Sequence, residues 1–224
     1  LGYVLHASAL VHVCPIYSLP FFLSMATLFA TGIYLLARRR WHAHALGVLV
    51  APVGLVVSLG THFASFAPPA VRLPASFIAL HVLANLLGEA LFLLAFGAAA
   101  LYLWRERRLK RKRLPLASRL PPLDALDATA HRFLLAGFPL LTAGVATGTV
   151  WSRQLIGAPA DVLLRAAFGY ATWLLFAAVL LLRVLCGWRG RRAAWGTIAG
   201  FACAVVALVV FLARPLLHAA RLGG

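Results

Sequence analysis

The chain has 224 residues, 63% of them hydrophobic and only 12% charged, with 21 Lys and Arg against 5 Asp and Glu for a formal net charge of +16. A soluble domain is about half apolar and about a quarter charged. This composition, with a mean hydropathy of +0.92, therefore argues against a soluble globular protein and for an integral membrane protein. Clustered Lys and Arg in such a chain set topology, so membrane lipid is the expected partner of the positive charge and no nucleic acid is expected.

Residues 1–14, LGYVLHASALVHVC, are apolar from the first position and read as the tail of a helix truncated at its start. They lack the basic leader and cleavage site of a signal peptide. A bilayer crossing needs about 20 apolar residues, and complete spans are predicted at 20–37, 45–62, 77–104, 131–151, 162–185 and 193–213. The expected fold is all-α: a polytopic transmembrane helix bundle of six complete spans plus the truncated N-terminal helix, forming a single integral membrane domain over residues 1–224.

The basic residues concentrate in three connections, ARRR at 37–40, RERRLKRKR at 105–113 and WRGRR at 188–192, whereas 61–75 and 152–161 hold one arginine each. Positive-inside asymmetry places the three clusters in the cytoplasm, including a basic cytoplasmic loop at 105–128, and puts the C-terminus outside. That loop ends in LPPLDALDATAHR, where the prolines stop regular structure and Asp124 or Asp127 can cap the next helix. In GWRGRRAAW (187–195) the glycines permit a tight turn. Its arginines suit anionic headgroups or a docking partner. The cysteines Cys14, Cys186 and Cys203 form neither a CxxC nor a zinc spacing and read as small packing residues.

Chemistry concentrates in FIALHVLANLLGEALF (77–92), where His81, Asn85 and Glu89 are spaced four apart and share one helical face. A carboxylate at the bilayer centre costs about 3 kcal/mol or more, so Glu89 is expected to face the bundle, protonated or paired. Two readings stand for Asn85 and Glu89: interhelical hydrogen bonding alone, or a ligand-orienting or proton-relay role. With the topology above, His62, His81 and His218 fall at the outer face, His12 lies near it and His6 deeper. His42, His44 and His131 fall on the cytoplasmic side.

Imidazoles converging from separate helices can ligate a metal or haem iron, with Phe63, Phe66, Phe77 and Trp151 available as walls. Interfacial histidines and an aromatic belt are the competing reading. GFPLLTAGVATG (137–148) carries Gly144 and Gly148 as a GxxxG pair that permits close helix approach. The sequence shows no nucleophile constellation, phosphate-binding loop or paired carboxylates, so hydrolase and kinase readings have no support and no catalytic residue is named.

Taken in order, the stretches LYLWRERRLKRKR, LPPLDALD, HRFLLAGFPLLTAGVATGTVW and GWRGRRAAWGTIAGF resemble the cytochrome c assembly protein family, and the resemblance covers most of the chain, from about His6 to His218. That family includes the CcsA/ResC, HemX and YpjD-type proteins, and the YpjD/HemX-type branch is the one most similar. The resemblance implies a haem-handling protein of the bacterial inner membrane, with b-type haem as the cofactor and other cytochrome c biogenesis proteins as partners. It aligns His81 with the first and His218 with the second of two outer histidines that hold haem iron axially beside a tryptophan-rich segment. Of that segment, Trp151 and Asp161 remain here. The intramembrane histidine of an LHxR pattern is replaced by Leu181, while Arg183 keeps the arginine, and His6 is the available substitute. The implied function is haem binding at the outer face in support of cytochrome c biogenesis or haem supply. If the chain is an enzyme at all, it is a component of a haem lyase or synthase system. The alternative is a non-catalytic, HemX-like scaffold acting through its basic cytoplasmic loops. A proton-coupled transporter centred on Glu89 is a third reading.

Overall fold

The computed structural model describes residues 19–40, 46–47, 51–52, 55, 75–112, 121–152 and 160–222. Within these, the side chains of 19–23, 40, 75–79, 151–152, 160–162, 165, 208 and 210–222 lie outside the description. Five helices make up the described chain: α1 Leu19–Arg40, α2 Ala75–Lys110, α3 Leu123–Ser152, α4 Ala160–Leu185 and α5 Arg191–Leu222. They coincide with five of the six predicted spans. Most of the predicted span at 45–62, and all of residues 1–14, lie outside the described residues. Among the described residues, three stretches are long and apolar enough to cross a membrane: Leu80–Lys110, Leu123–Val150 and Ala166–Leu185.

The helices overrun the boundaries expected from hydropathy. The expected loop at 105–128 is shorter, because α2 continues to Lys110 and α3 already begins at Leu123. Arg, Lys, Leu and Glu are strong helix formers, so the backbone stays helical after the apolar run has ended. A Lys110–Glu106 pair at 2.8 Å supports the last turns at i,i+4 spacing, and Arg108 lies over the Trp104 ring at 5.1 Å. The helix stops where Lys112 takes a left-handed conformation, φ 54°. Pro121 and Pro122 precede α3, and the Pro122 carbonyl accepts its first turn through Leu126 N at 3.1 Å.

Helix α2 is the centre of the bundle and packs on α1, α3 and α5, with its largest interface against α3; α4 and α5 form the second tightly packed pair. The α2–α3 pair is antiparallel, because successive small residues of α3 meet α2 in reverse order. Gly137 lies against Leu91 and Phe92, Gly88 receives Leu140 and Leu141, Gly144 lies against Asn85, and Gly148 against His81. The α4–α5 pair uses the same device: Gly196 receives Val179 and Gly200 receives Phe176. Lipid is as apolar as leucine, so helices in a membrane associate through such close packing and through interhelical hydrogen bonds.

The buried core joins the two pairs through Phe92, Leu94, Ala98, Phe133, Leu134, Phe176 and Val179. The Phe92 and Phe176 rings are tilted at a 4.3 Å centroid separation, and Phe96 stacks on Phe201 at 4.7 Å. Leu174, Leu181 and Val184 of α4 are 60%, 57% and 78% exposed. A soluble surface would not gather such side chains, and in a bilayer they face lipid.

Candidate functional site

Where the N-terminal part of α2 meets the C-terminal part of α3, the bundle keeps a part-buried polar network within an otherwise apolar seam. His81 Nδ1 lies 2.7 Å from Thr147 Oγ1. The Thr147 hydroxyl donates back to the Ala143 carbonyl at 2.7 Å, with the Gly144 carbonyl also close at 3.0 Å. The hydroxyl can donate to the main chain while its oxygen accepts from the imidazole, an arrangement that the Asn85 contact selects. Asn85 Nδ2 donates to the His81 carbonyl at 2.7 Å and reaches His81 Nε2 at 3.2 Å. A carbonyl can only accept, so the main-chain bond fixes which end of the Asn85 amide is nitrogen.

These bonds assign His81 as a neutral imidazole with its hydrogen on Nδ1 and its lone pair on Nε2. The glycines make the arrangement possible. A Cβ on Gly144 would stand 2.5 Å from Asn85 Oδ1, and one on Gly148 would stand 3.5 Å from His81 Cε1. The GxxxG pair read from the sequence as a packing device is therefore also the seat of the polar stripe. Glu89, one turn further on, is half-buried and has no hydrogen bond or ion pair among the described residues.

The remaining candidates are placed less completely. Trp151 is in the last turn of α3, beyond Thr147 and Gly148, and His218 is in the last turns of α5; their side chains lie outside the description. His62 and His6 lie outside the described residues altogether. Groups of three or more His, Cys, Asp or Glu able to hold a metal ion are absent among the described residues. Among the described residues the seam thus offers one oriented imidazole, His81.

The opposite end of the bundle holds a constellation that sequence reasoning missed. Asp127 of α3 accepts both terminal nitrogens of Arg183 from α4, at 3.0 Å and 2.6 Å, and the Gly190 N–H at 3.0 Å. Both side chains of the ion pair are 12% exposed. Asp127 had been expected as a cap of its own helix. Instead its carboxylate sits at the N-terminus of α5, whose first intrahelical bond runs from Ala194 N to the Gly190 carbonyl at 2.9 Å, and where the helix dipole favours an anion. The turn depends on two left-handed glycines, Gly187 at φ 64° and Gly190 at φ 66°. A Cβ on Gly190 would stand 2.7 Å from Tyr102 Oη of α2. His131, Tyr102 and Thr197 line a small pocket beside this clamp, with room for about one water molecule.

The clamp explains why LPPLDALD and GWRGRRAAW, remote in sequence, belong together: the last Asp of the first stretch fastens the turn of the second. An Asp beside Asp124 at the start of one apolar helix and an Arg at the end of another, in a chain with only 5 acidic residues, were the available signal.

A chain whose described residues are helical, with three membrane-length apolar stretches, exposed leucines along α4 and a part-buried polar network between α2 and α3, is a polytopic helical membrane protein. The model of the family described as Cytochrome C assembly protein matches residues 13–218, and the chain belongs to the cytochrome c assembly protein family. It is similar to the cytochrome c biogenesis protein CcsA of Gloeothece citriformis, 38% identical over 99 residues, which are 44% of this chain and 29% of that relative. The CcsA proteins of Picosynechococcus sp. and Synechocystis sp. are 40% identical over 78 residues and 39% identical over 83 residues, covering 35% and 37% of this chain and 23% and 25% of those relatives. The aligned stretch is thus less than a third of the length of each of these relatives. No solved structure matches the chain.

Proposed function

We propose that this protein handles haem at the outer face of a bacterial inner membrane in support of cytochrome c biogenesis or haem supply, with His81 as an axial ligand of the haem iron. The observation that carries the reading is the state of His81. Its Nδ1–H is tied to Thr147 across the α2–α3 seam, which leaves the Nε2 lone pair as the ligating atom, the arrangement in which metal-bound histidines are generally held. Haem is cargo here, held non-covalently and so b-type until it is passed on. His218 is the proposed second axial ligand and Trp151 a wall of the site. The basic end of α2 and the GWRGRR turn share the opposite end of the bundle through Asp127 and Tyr102. Positive-inside asymmetry would put that end in the cytoplasm, and His81 and the C-terminus outside. The relatives are named for cytochrome c biogenesis, which supports this reading, as does the resemblance to the YpjD/HemX-type branch.

Purification in mild detergent followed by titration with haemin tests the proposal. A Soret band shifted from that of free haemin is expected, whereas a wild-type protein that leaves the haemin spectrum unchanged refutes haem handling. A second reading, a scaffold acting through its basic end, is favoured by the exposure of Arg107, Lys110 and Lys112. It requires that neutralising these three charges abolish function while His81→Ala does not.

A further inference from the structure

We propose that Asn85 is a reversible cap on the ligating nitrogen of His81 and that Thr147 is the positioning residue that fixes the tautomer. Together they would set through which atom, and how readily, the imidazole takes an iron porphyrin. This rests on the reading of His81 as an axial ligand.

Three geometric facts build the device. The Asn85 amide nitrogen can only donate, so Nε2 accepts and the imidazole hydrogen sits on Nδ1, 2.7 Å from Thr147 Oγ1, while the Thr147 hydroxyl has the Ala143 and Gly144 carbonyls at 2.7 Å and 3.0 Å to donate to. The Nδ1–Thr147 contact holds the proton on Nδ1 and the lone pair on Nε2. Asn85 then covers Nε2 with one of its two amide hydrogens at 3.2 Å. The other hydrogen makes a shorter bond, 2.7 Å, to the His81 carbonyl. The long bond is the one that blocks the ligand atom, and the short one tethers the cap to its own helix. Lifting the cap therefore breaks the longer of the two Asn85 bonds, while Asn85 keeps its main-chain anchor. Gly144 supplies the slot in which the amide sits, since a Cβ there would stand 2.5 Å from Oδ1. The two residues thus have opposite effects on ligation: Thr147 favours it by presenting the correct nitrogen, and Asn85 opposes it by occupying that nitrogen.

The test joins a measurement without haem to one with it. In detergent-solubilised, haem-free protein carrying ¹⁵N-labelled histidine, with His81 assigned by comparison with His81→Ala, its Nδ1 is expected to report as protonated and Nε2 as an unprotonated acceptor. Thr147→Val is expected to populate the other tautomer. In haemin titrations Asn85→Ser is the informative variant. Serine can still donate to the carbonyl four residues back but is too short to reach Nε2. It is expected to bind haemin about threefold to tenfold tighter than wild type, the net worth of one hydrogen bond. Asn85→Ala is the second variant with the same expected direction, and Thr147→Val is expected to bind more weakly by a similar factor. A wild-type His81 protonated at Nε2 overturns the tautomer assignment. Equal haemin affinity in wild type, Asn85→Ser and Asn85→Ala overturns the cap. If no variant binds haemin, the ligand reading of His81 fails and the cap on ligation falls with it, while the nitrogen shifts still report separately on the Thr147 and Asn85 bonds.

Discussion

Replacing Asp127 by Ala should be the most damaging single change at the clamp end of the bundle. The substitution removes three acceptor interactions at once, two from Arg183 at 3.0 Å and 2.6 Å and one from Gly190 N at 3.0 Å. It leaves a guanidinium whose side chain is only 12% exposed without its counter-charge. Breaking a buried pair from one side costs about 3–5 kcal/mol, because the surviving charge remains desolvated, whereas replacing both partners by apolar groups of similar volume is often neutral. The pair on the exposed end of α2, Lys110–Glu106, with Lys110 62% exposed, is worth only about 0.3–0.5 kcal/mol and provides the internal control.

Reversible unfolding in mixed micelles, followed by circular dichroism, should show Asp127→Ala destabilised by about 3–5 kcal/mol. The double variant Asp127→Leu with Arg183→Leu should recover most of the loss, and Glu106→Ala should lie within about 0.5 kcal/mol of wild type. An Asp127→Ala protein as stable as Glu106→Ala would refute the clamp as a buried, mutually dependent pair. So would a double variant no better than the single one.

Further expectations follow from the same packing. Gly144→Ala should cost about 1–3 kcal/mol, since its Cβ stands 2.5 Å from Asn85 Oδ1, and should alter the His81 nitrogen shifts; an unchanged spectrum would show that the amide does not occupy that slot. Gly200→Ala presses on the buried Phe176 ring, and unfolding should again register a loss of about 1–3 kcal/mol, with wild-type stability counting against the α4–α5 interface. Cys186 is exposed beside the glycine turn and Cys203 is half-buried. In a variant retaining only Cys186, a membrane-impermeant maleimide should label inverted vesicles and spare intact cells, and the reverse pattern would overturn the proposed topology.

Much of the architecture could be read from the sequence because bilayer physics is coarse. A run of about 20 apolar residues is a span, and the run at 77–92 broken every fourth residue gave the face of α2 that turns to α3. The pairing of that face with Gly144 and Gly148 was also within reach, since both were recognised, but nothing local said that the two features touch. Helix ends were harder to place. Hydropathy falls at Arg105, yet the backbone continues helical to Lys110, because charged side chains with long stems lose little in a helix. The Asp127–Arg183 clamp joins residues 56 apart in the chain, and local signals for Asp127 favoured a capping role, which hid its partner. The GTIAG stretch at 196–200 had the same small-residue spacing as Gly144 and Gly148 and could have been found by that rule. Glu89 was expected to face the bundle, protonated or paired; it is half-buried and unpaired among the described residues.

The central claim is that His81 ligates haem iron, and exogenous imidazole tests it most directly. In His81→Gly the ligand is removed and its space left open, with the fold checked by the same unfolding measurement used for Asp127. Haemin added to the wild-type protein should give a shifted Soret band. The His81→Gly variant should lose that band, and free imidazole should restore it. A His81→Gly protein that binds haemin with the wild-type spectrum, without imidazole, would contradict the assignment.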